Sequence, residues 1–183
     1  MDGACAVYSL SMALLCLGAV TKEDLDIYPK VDKRTQKGKF LSHFLEEQGL
    51  VRGGYCFSTL AKEINSQCFG VNAIRKRPKD KNELISLIAD TIDEDSPVII
   101  STDFTDGGHA MLAIGYETND EEDDITKILC LDPGEEAPIF SYWNCIIDVS
   151  HKQRISDCPF DNITKSQSYK VDLGDIIILE KKK

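Results

Sequence analysis

From Ala4 to Leu17 the chain is almost wholly small or apolar, interrupted only by Ser9, Ser11 and the Tyr8 hydroxyl, and Gly18 follows as a terminator. Such a stretch predicts a helix buried on nearly every side. Thr21 with Asp24 forms a weak N-cap pair for a short second helix. Gly38 to Gln48 predicts another, with Phe40, Leu41, Phe44 and Leu45 on one face and Gly49 at the stop. A shorter helix starts after Ser58 with Leu60, Ala61 and Ile64 inward, and Asn82 caps an amphipathic run through Leu84, Leu87, Ile88, Thr91 and Ile92. Beyond Pro97 the period changes. Val98 to Thr102, His109 to Thr118, Ile125 to Leu131 and Tyr169 to Glu180 are β-branched or alternating runs separated by Gly, Pro, Asn and Asp, and they predict strands. The acidic turn Asn119 to Asp124 is then an exposed hairpin tip. Helices followed by antiparallel strands predict an α+β domain with the helices packed on one side of a sheet.

Composition adds bounds. A chain of 183 residues, 42% apolar and 28% charged, suits one globular domain over 1–183. Lys plus Arg number 21 against 31 for Asp plus Glu, a net charge of -10, which argues against nucleic-acid phosphate and anionic membranes as partners. Seven cysteines (5, 16, 56, 68, 130, 145, 158) include no Cys-x-x-Cys pair, so neither a structural zinc site nor a disulfide framework is called for, and no metal or cofactor is expected. Reduced thiols suit a cytoplasmic compartment. The apolar run Met12 to Val20 follows Asp2 and no Lys or Arg, and Leu15 stands where a lipoprotein signal needs a small residue before Cys16. No run approaches the roughly 18 apolar residues of a membrane helix. The expected settings are therefore the cytoplasm, or delivery into a host or competitor cytosol without a classical signal peptide.

Three residues carry candidate chemistry. Cys5 opens the apolar helix, where unpaired main-chain N–H groups and the helix dipole favour a thiolate and can hold an oxyanion. Taken alone, a cysteine in an apolar helix is more often a packing residue than a nucleophile. His109 follows Gly107-Gly108 and opens a core strand, so its imidazole stands at a strand end beside a turn, placed to act as general base and acid. His43, within a helix, and His151, in a polar loop, read as packing or surface residues. Asp132 ends the next strand, and a hairpin brings it back toward His109; the alternative is that it initiates the turn Asp132-Pro133-Gly134. Together the three form a nucleophile, base and orienter. Gly108, Trp143 and Asn144 are candidates for lining the cleft, and Asp103 and Asp106 read as solvating the loop before His109, the alternative being that they shape the approach to it. From Asp103 to Glu136 the one cation is Lys127 among many acids. That region is a solvated tip or a face that steers a cationic substrate.

The segment Asp2 to Leu14 around Cys5, then Gly108 to Tyr116 around His109, then Leu131-Asp132-Pro133, resembles the ordered Cys, His, Asp-Pro pattern of papain-like cysteine peptidases of the double-glycine leader peptidase branch. The resemblance implies a papain-like fold, with the cysteine on a central buried helix packed on a C-terminal antiparallel sheet. It implies a thiol hydrolase that cleaves a peptide or amide bond through an acyl-thioester, with Cys5, His109 and Asp132 as triad and the Cys5 main-chain N–H as oxyanion donor. It also implies a Gln a few residues before the nucleophile, where this sequence has only Met1 to Ala4, and a Gly after it, where Ala6 stands. Two alternatives follow: a glutamine deamidase or transglutaminase-type effector on the same triad, and a catalytically degenerate binding module. The partner expected is a peptide or protein substrate, a basic region being one option, in bacterial peptide processing, conflict or host attack. Oligomeric state, scissile bond and whether Met1 is the authentic start stay open.

Overall fold

Helix α1 (Cys5–Cys16) is held by one face. Ala6, Val7, Leu10, Ala13 and Leu14 are buried at amphipathic spacing, whereas Tyr8 and Leu15 are 44% and 39% exposed. The expected burial on nearly every side therefore fails, because the body of the protein lies to one side of the helix. The structure, a computed structural model, describes residues 4–26, 31–47, 54–67, 69–119, 124–150 and 157–182. Several sequence expectations lie outside those residues: the helix stop at Gln48 and Gly49, His151, Cys68, residues 120–123 of the acidic hairpin tip, and positions 1–3 before the nucleophile.

After α1, Thr21 and Asp24 exchange side-chain and main-chain hydrogen bonds (2.8 and 3.4 Å) around a single 3-10 turn, Glu23–Leu25, not a full helix. Helix α2 (Gln36–Leu41) starts two residues before the expected Gly38, because Thr35 caps it: its Oγ1 accepts the Gly38 N–H at 2.9 Å. It continues as a π-helical stretch, Ser42–Glu47. Helix α3 (Phe57–Ser66) buries Phe57, Leu60, Ala61 and Ile64. Helix α4 (Lys81–Asp93) is capped by Asp80, not Asn82. The Asp80 carboxylate accepts the N–H groups of both Asn82 (2.7 Å) and Glu83 (3.2 Å), which places Asn82 inside the first turn.

The largest correction concerns the sheet. Its strands are β1 (Val71–Lys76), β2 (Val98–Phe104), β3 (Gly107–Thr118), β4 (Ile125–Leu131), β5 (Cys145–Asp148), β6 (Phe160–Thr164) and β7 (Ser168–Lys181). They lie in the order β1-β7-β2-β3-β4-β5-β6, all antiparallel, and β6 pairs again with β7. That second pairing closes β2 to β7 into a six-stranded barrel, with β1 added outside on the C-terminal half of β7. The fold is mixed α+β, but the helix does not pack on an open sheet as expected. Closure depends on the length of β7: Phe160 to Ile163 of β6 pair with Ser168 to Val171, and β2 takes Asp172 to Ile178. One long strand thus serves neighbours on both edges at different heights.

Alternation along the strands divides the core. Val98, Ile100, Met111, Ala113, Ile128, Cys130, Ile147, Phe160 and Ile176 face one cluster with Leu84, Ile85 and Ile88 of α4. Ile99, Ala110, Leu112, Ile177 and Leu179 face the other, under α1, α2 and α3. Strands covered on both faces explain the unbroken apolar runs Val98–Ile100 and Ile176–Leu179, which a sheet wet on one side would not carry.

Candidate active site

Cys5 reaches the barrel because α1 is pinned to β3. Ala6, Val7 and Leu10 pack with Ala110 and Leu112. The fully buried Ser9 hydroxyl donates to the Ala110 carbonyl at 3.1 Å, tying residues 101 positions apart. Ala110 follows His109, so this bond fixes the first turn of α1 beside the histidine. A serine in an otherwise apolar helix face was the sequence signal for this contact; its pairing partner was not visible there.

His109 and Asp132 lie two residues beyond Met111 and Cys130, which point into the barrel-side core, so alternation brings both to the rim on that side. The β3–β4 register sets Leu112 against Leu131 and Ala113 against Cys130, which carries Asp132 into side-chain reach of His109. The contact is short: His109 Nε2 stands 2.6 Å from Asp132 Oδ1, and the two residues are 4% and 5% exposed. The same Oδ1 accepts the Gly134 N–H at 2.7 Å. Asn144 holds the acid from behind, accepting the Asp132 N–H on Oδ1 (2.7 Å) and donating Nδ2 to the Asp132 carbonyl (2.9 Å).

The ring's other nitrogen, Nδ1, is buried and lacks a partner in hydrogen-bond geometry among the described residues. Cys5 and the imidazole nevertheless shift each other's proton equilibria, so the sulfur approaches a ring that has one nitrogen uncommitted. Such contacts in a free enzyme are often long and tighten with substrate. Burial opposes a charge on His109, yet the Asp132 carboxylate and the Cys5 thiolate carry it up to about 9. Burial also works against the Cys5 thiolate. The imidazole, then the N–H groups of Ala110 and Ala6, outweigh it and bring the thiol below its ordinary value. The two shifts are reciprocal, the thiolate and the imidazolium each stabilising the charge of the other. The barrel cysteines contrast with this, since burial pushes Cys145 up to about 12 and Cys130 well above the ordinary thiol range.

Cys5, His109 and Gly108 line one cavity of about 380 Å³, together with Tyr55, Arg77 and Asp103. Cys56 and Asp175 also border it. Trp143 and Asn144 line a separate cavity of about 460 Å³ under the 135–146 segment. Of the three residues considered for the cleft, Gly108 therefore stands beside Cys5, Trp143 stands elsewhere, and Asn144 supports Asp132 from the far side. Asp103 lines the cavity, a position that fits the alternative of shaping the approach to His109 and not the reading as loop solvation. Arg77 and Asp175 escaped sequence reasoning because Arg77 follows the last residue of β1 and Asp175 lies midway along β7, far from any motif. His43 lies apart, with Nε2 3.1 Å from Glu63 and its ring edge-on to Phe44. Among the described residues no three His, Cys, Asp or Glu side chains are arranged to hold a metal ion. No helix among them is long and apolar enough to cross a membrane.

A sequence model of the Peptidase_C39 like family matches residues 1–145, a span that contains Cys5, His109 and Asp132. No curated protein matches the chain.

Proposed function

The chain belongs to the Peptidase_C39 like family, whose function is of the cysteine-peptidase type, and on that premise we propose that it is a thiol hydrolase acting through Cys5, His109 and Asp132. The observation that carries this reading is the buried 2.6 Å contact of His109 Nε2 with Asp132 Oδ1, with Nδ1 left for the thiol at the start of α1. Asp132 fixes the ring's tautomer and orientation and stabilises the imidazolium. The Cys5 thiolate attacks the carbonyl carbon of a peptide or amide bond, and the main-chain N–H of Cys5 at the helix terminus stabilises the oxyanion. His109 gives its proton to the leaving amine, which departs as the acyl-thioester forms. Water then attacks the thioester, His109 takes up a proton, and the carboxylic acid leaves as Cys5 is regenerated as thiolate.

Cys5→Ala and His109→Ala each reduce turnover of a cleavable peptide by on the order of 10⁴-fold or more, while the circular dichroism spectrum stays that of the wild type. Retained turnover in both variants overturns the reading. Ammonia release from glutamine without chain cleavage would redirect it to a deamidase.

A further inference from the structure

The cavity beside Cys5 and His109 holds two carboxylates in opposite states. Asp175 is engaged on several sides: Arg75 meets both its oxygens at 2.9 to 3.1 Å, Arg77 approaches to 3.4 Å, and its main-chain N–H donates to Ser101 Oγ at 2.8 Å. Asp103 is exposed, and among the described residues no hydrogen bond or ion pair reaches its carboxylate. Register places Asp103 opposite Gly108, in the pair next to Thr102–His109, and both Asp103 and His109 line the cavity.

Two glycines make the notch in which that carboxylate stands. A Cβ on Gly108 would lie 3.2 Å from Asp103 Oδ1, and one on Gly174 would lie 3.0 Å from Oδ2 and 2.5 Å from Ser101 Oγ. Any larger residue at either position would crowd the carboxylate or shield it from the cavity. A free charge in a concave site acts on a bound ligand more strongly than one on an open surface, because low-dielectric walls focus its field. Arg77, which lines the cavity, pairs with Asp175, and Asp103 is the lining carboxylate without a partner among the described residues.

We propose that Asp103 is a specificity-determining residue that receives a basic side chain, lysine or arginine, flanking the bond presented to Cys5. The inference rests on the thiol-hydrolase reading and names the substrate class that reading leaves open. The side chain's ammonium or guanidinium donates charge-assisted hydrogen bonds to Asp103 Oδ1 or Oδ2 and fixes the substrate's register in the cleft.

The test is a randomised peptide library digested by wild type, Asp103→Asn, Asp103→Glu and Asp103→Lys, with cleavage sites read by mass spectrometry. Wild type is expected to enrich lysine and arginine at one position near the scissile bond. Asp103→Asn lowers the ratio of cationic to neutral side chains there by about tenfold, Asp103→Glu restores it, and Asp103→Lys turns the preference toward aspartate and glutamate. The wild-type preference shrinks as salt is raised, as a charge-based selection must. An identical cleavage profile in wild type and Asp103→Asn, with the cuts still dependent on Cys5, overturns the assignment of Asp103 and leaves the hydrolase standing. No cleavage by any form overturns both, and iodoacetamide labelling of Cys5 then tells whether the cysteine–histidine pair itself was misread.

Discussion

Asn144 grips both main-chain groups of Asp132, its carboxamide accepting the N–H at 2.7 Å and donating to the carbonyl at 2.9 Å. The amide thus stands in for a neighbouring strand at the point where β4 has ended and the ladder offers no partner. It also donates to the Glu136 carbonyl at 3.2 Å, so one side chain ties both ends of the turn that carries the acid. Asn144 is a positioning residue: it acts on the imidazole only through Asp132.

Asn144→Ala is expected to lower the rate of Cys5 acylation by on the order of tenfold to a hundredfold, the scale of a small misplacement of a catalytic group. A merely structural role would leave the pH profile unmoved. The account expects the alkaline limb, set by His109 near about 9, to move down toward the ordinary histidine value of 6.5 as Asp132 loosens. Rate against pH for the two proteins checks this.

Ser9→Ala removes the hydroxyl that joins α1 to the Ala110 carbonyl. A typical net hydrogen-bond contribution is about 0.5 to 1.5 kcal/mol, and urea unfolding of the variant is expected to show a loss in that range. Because the bond also sets the distance between the start of α1 and His109, the rate of Cys5 alkylation near pH 6 should fall in parallel. An equal loss of stability with unchanged Cys5 reactivity would show that the bond holds the helix without aligning the pair.

The His109 proton links stability to pH in a definite direction. Its folded value is raised from 6.5 to about 9, so the folded protein binds the proton more tightly than the unfolded chain. The stabilisation is present below the unfolded value and is lost as pH rises through the folded one. The depressed Cys5 thiol releases a proton that offsets this one, so the comparison is made without it: Cys5→Ala is expected to lose stability relative to Cys5→Ala/His109→Gln as pH rises above about 6.5. Urea unfolding of both proteins across that range measures it, and a difference that grows with pH would contradict the raised value.

Much of the site was legible before the structure because its parts are local. Cys5 opens an apolar run ended by Gly18, and a hairpin between His109 and Asp132 needs only two strands and an acidic turn. The barrel was not legible for the opposite reason. β5 has four residues and β6 has five, too short for alternation to stand out, and the β6–β7 pairing that closes the sheet is not signalled by either strand alone. β1 was missed because Arg75, Lys76 and Arg77 end its pattern in a charge run. The Ile176–Leu179 run did carry a readable signal: four consecutive apolar residues imply a strand covered on both faces, which one layer of helices on a sheet cannot supply. Asn144 illustrates a further limit, since an amide suited to lining a cleft is equally suited to binding a backbone, and only the fold decides between them.

The central claim is that Cys5 and His109 form a thiolate–imidazolium pair, and the most direct measurement is the iodoacetamide alkylation rate of Cys5 against pH, with each cysteine followed by mass spectrometry. Cys56 provides an internal control: its thiol is also lowered, but by the Ser58 hydroxyl and main chain and not by His109. Cys16, raised by burial, should react only at higher pH. The account predicts rapid Cys5 labelling near pH 6, well below the usual thiol value of about 8.5, and its loss in His109→Ala while Cys56 is unchanged. Cys5 labelling that follows an ordinary thiol titration in wild type, or that is the same without His109, would contradict it.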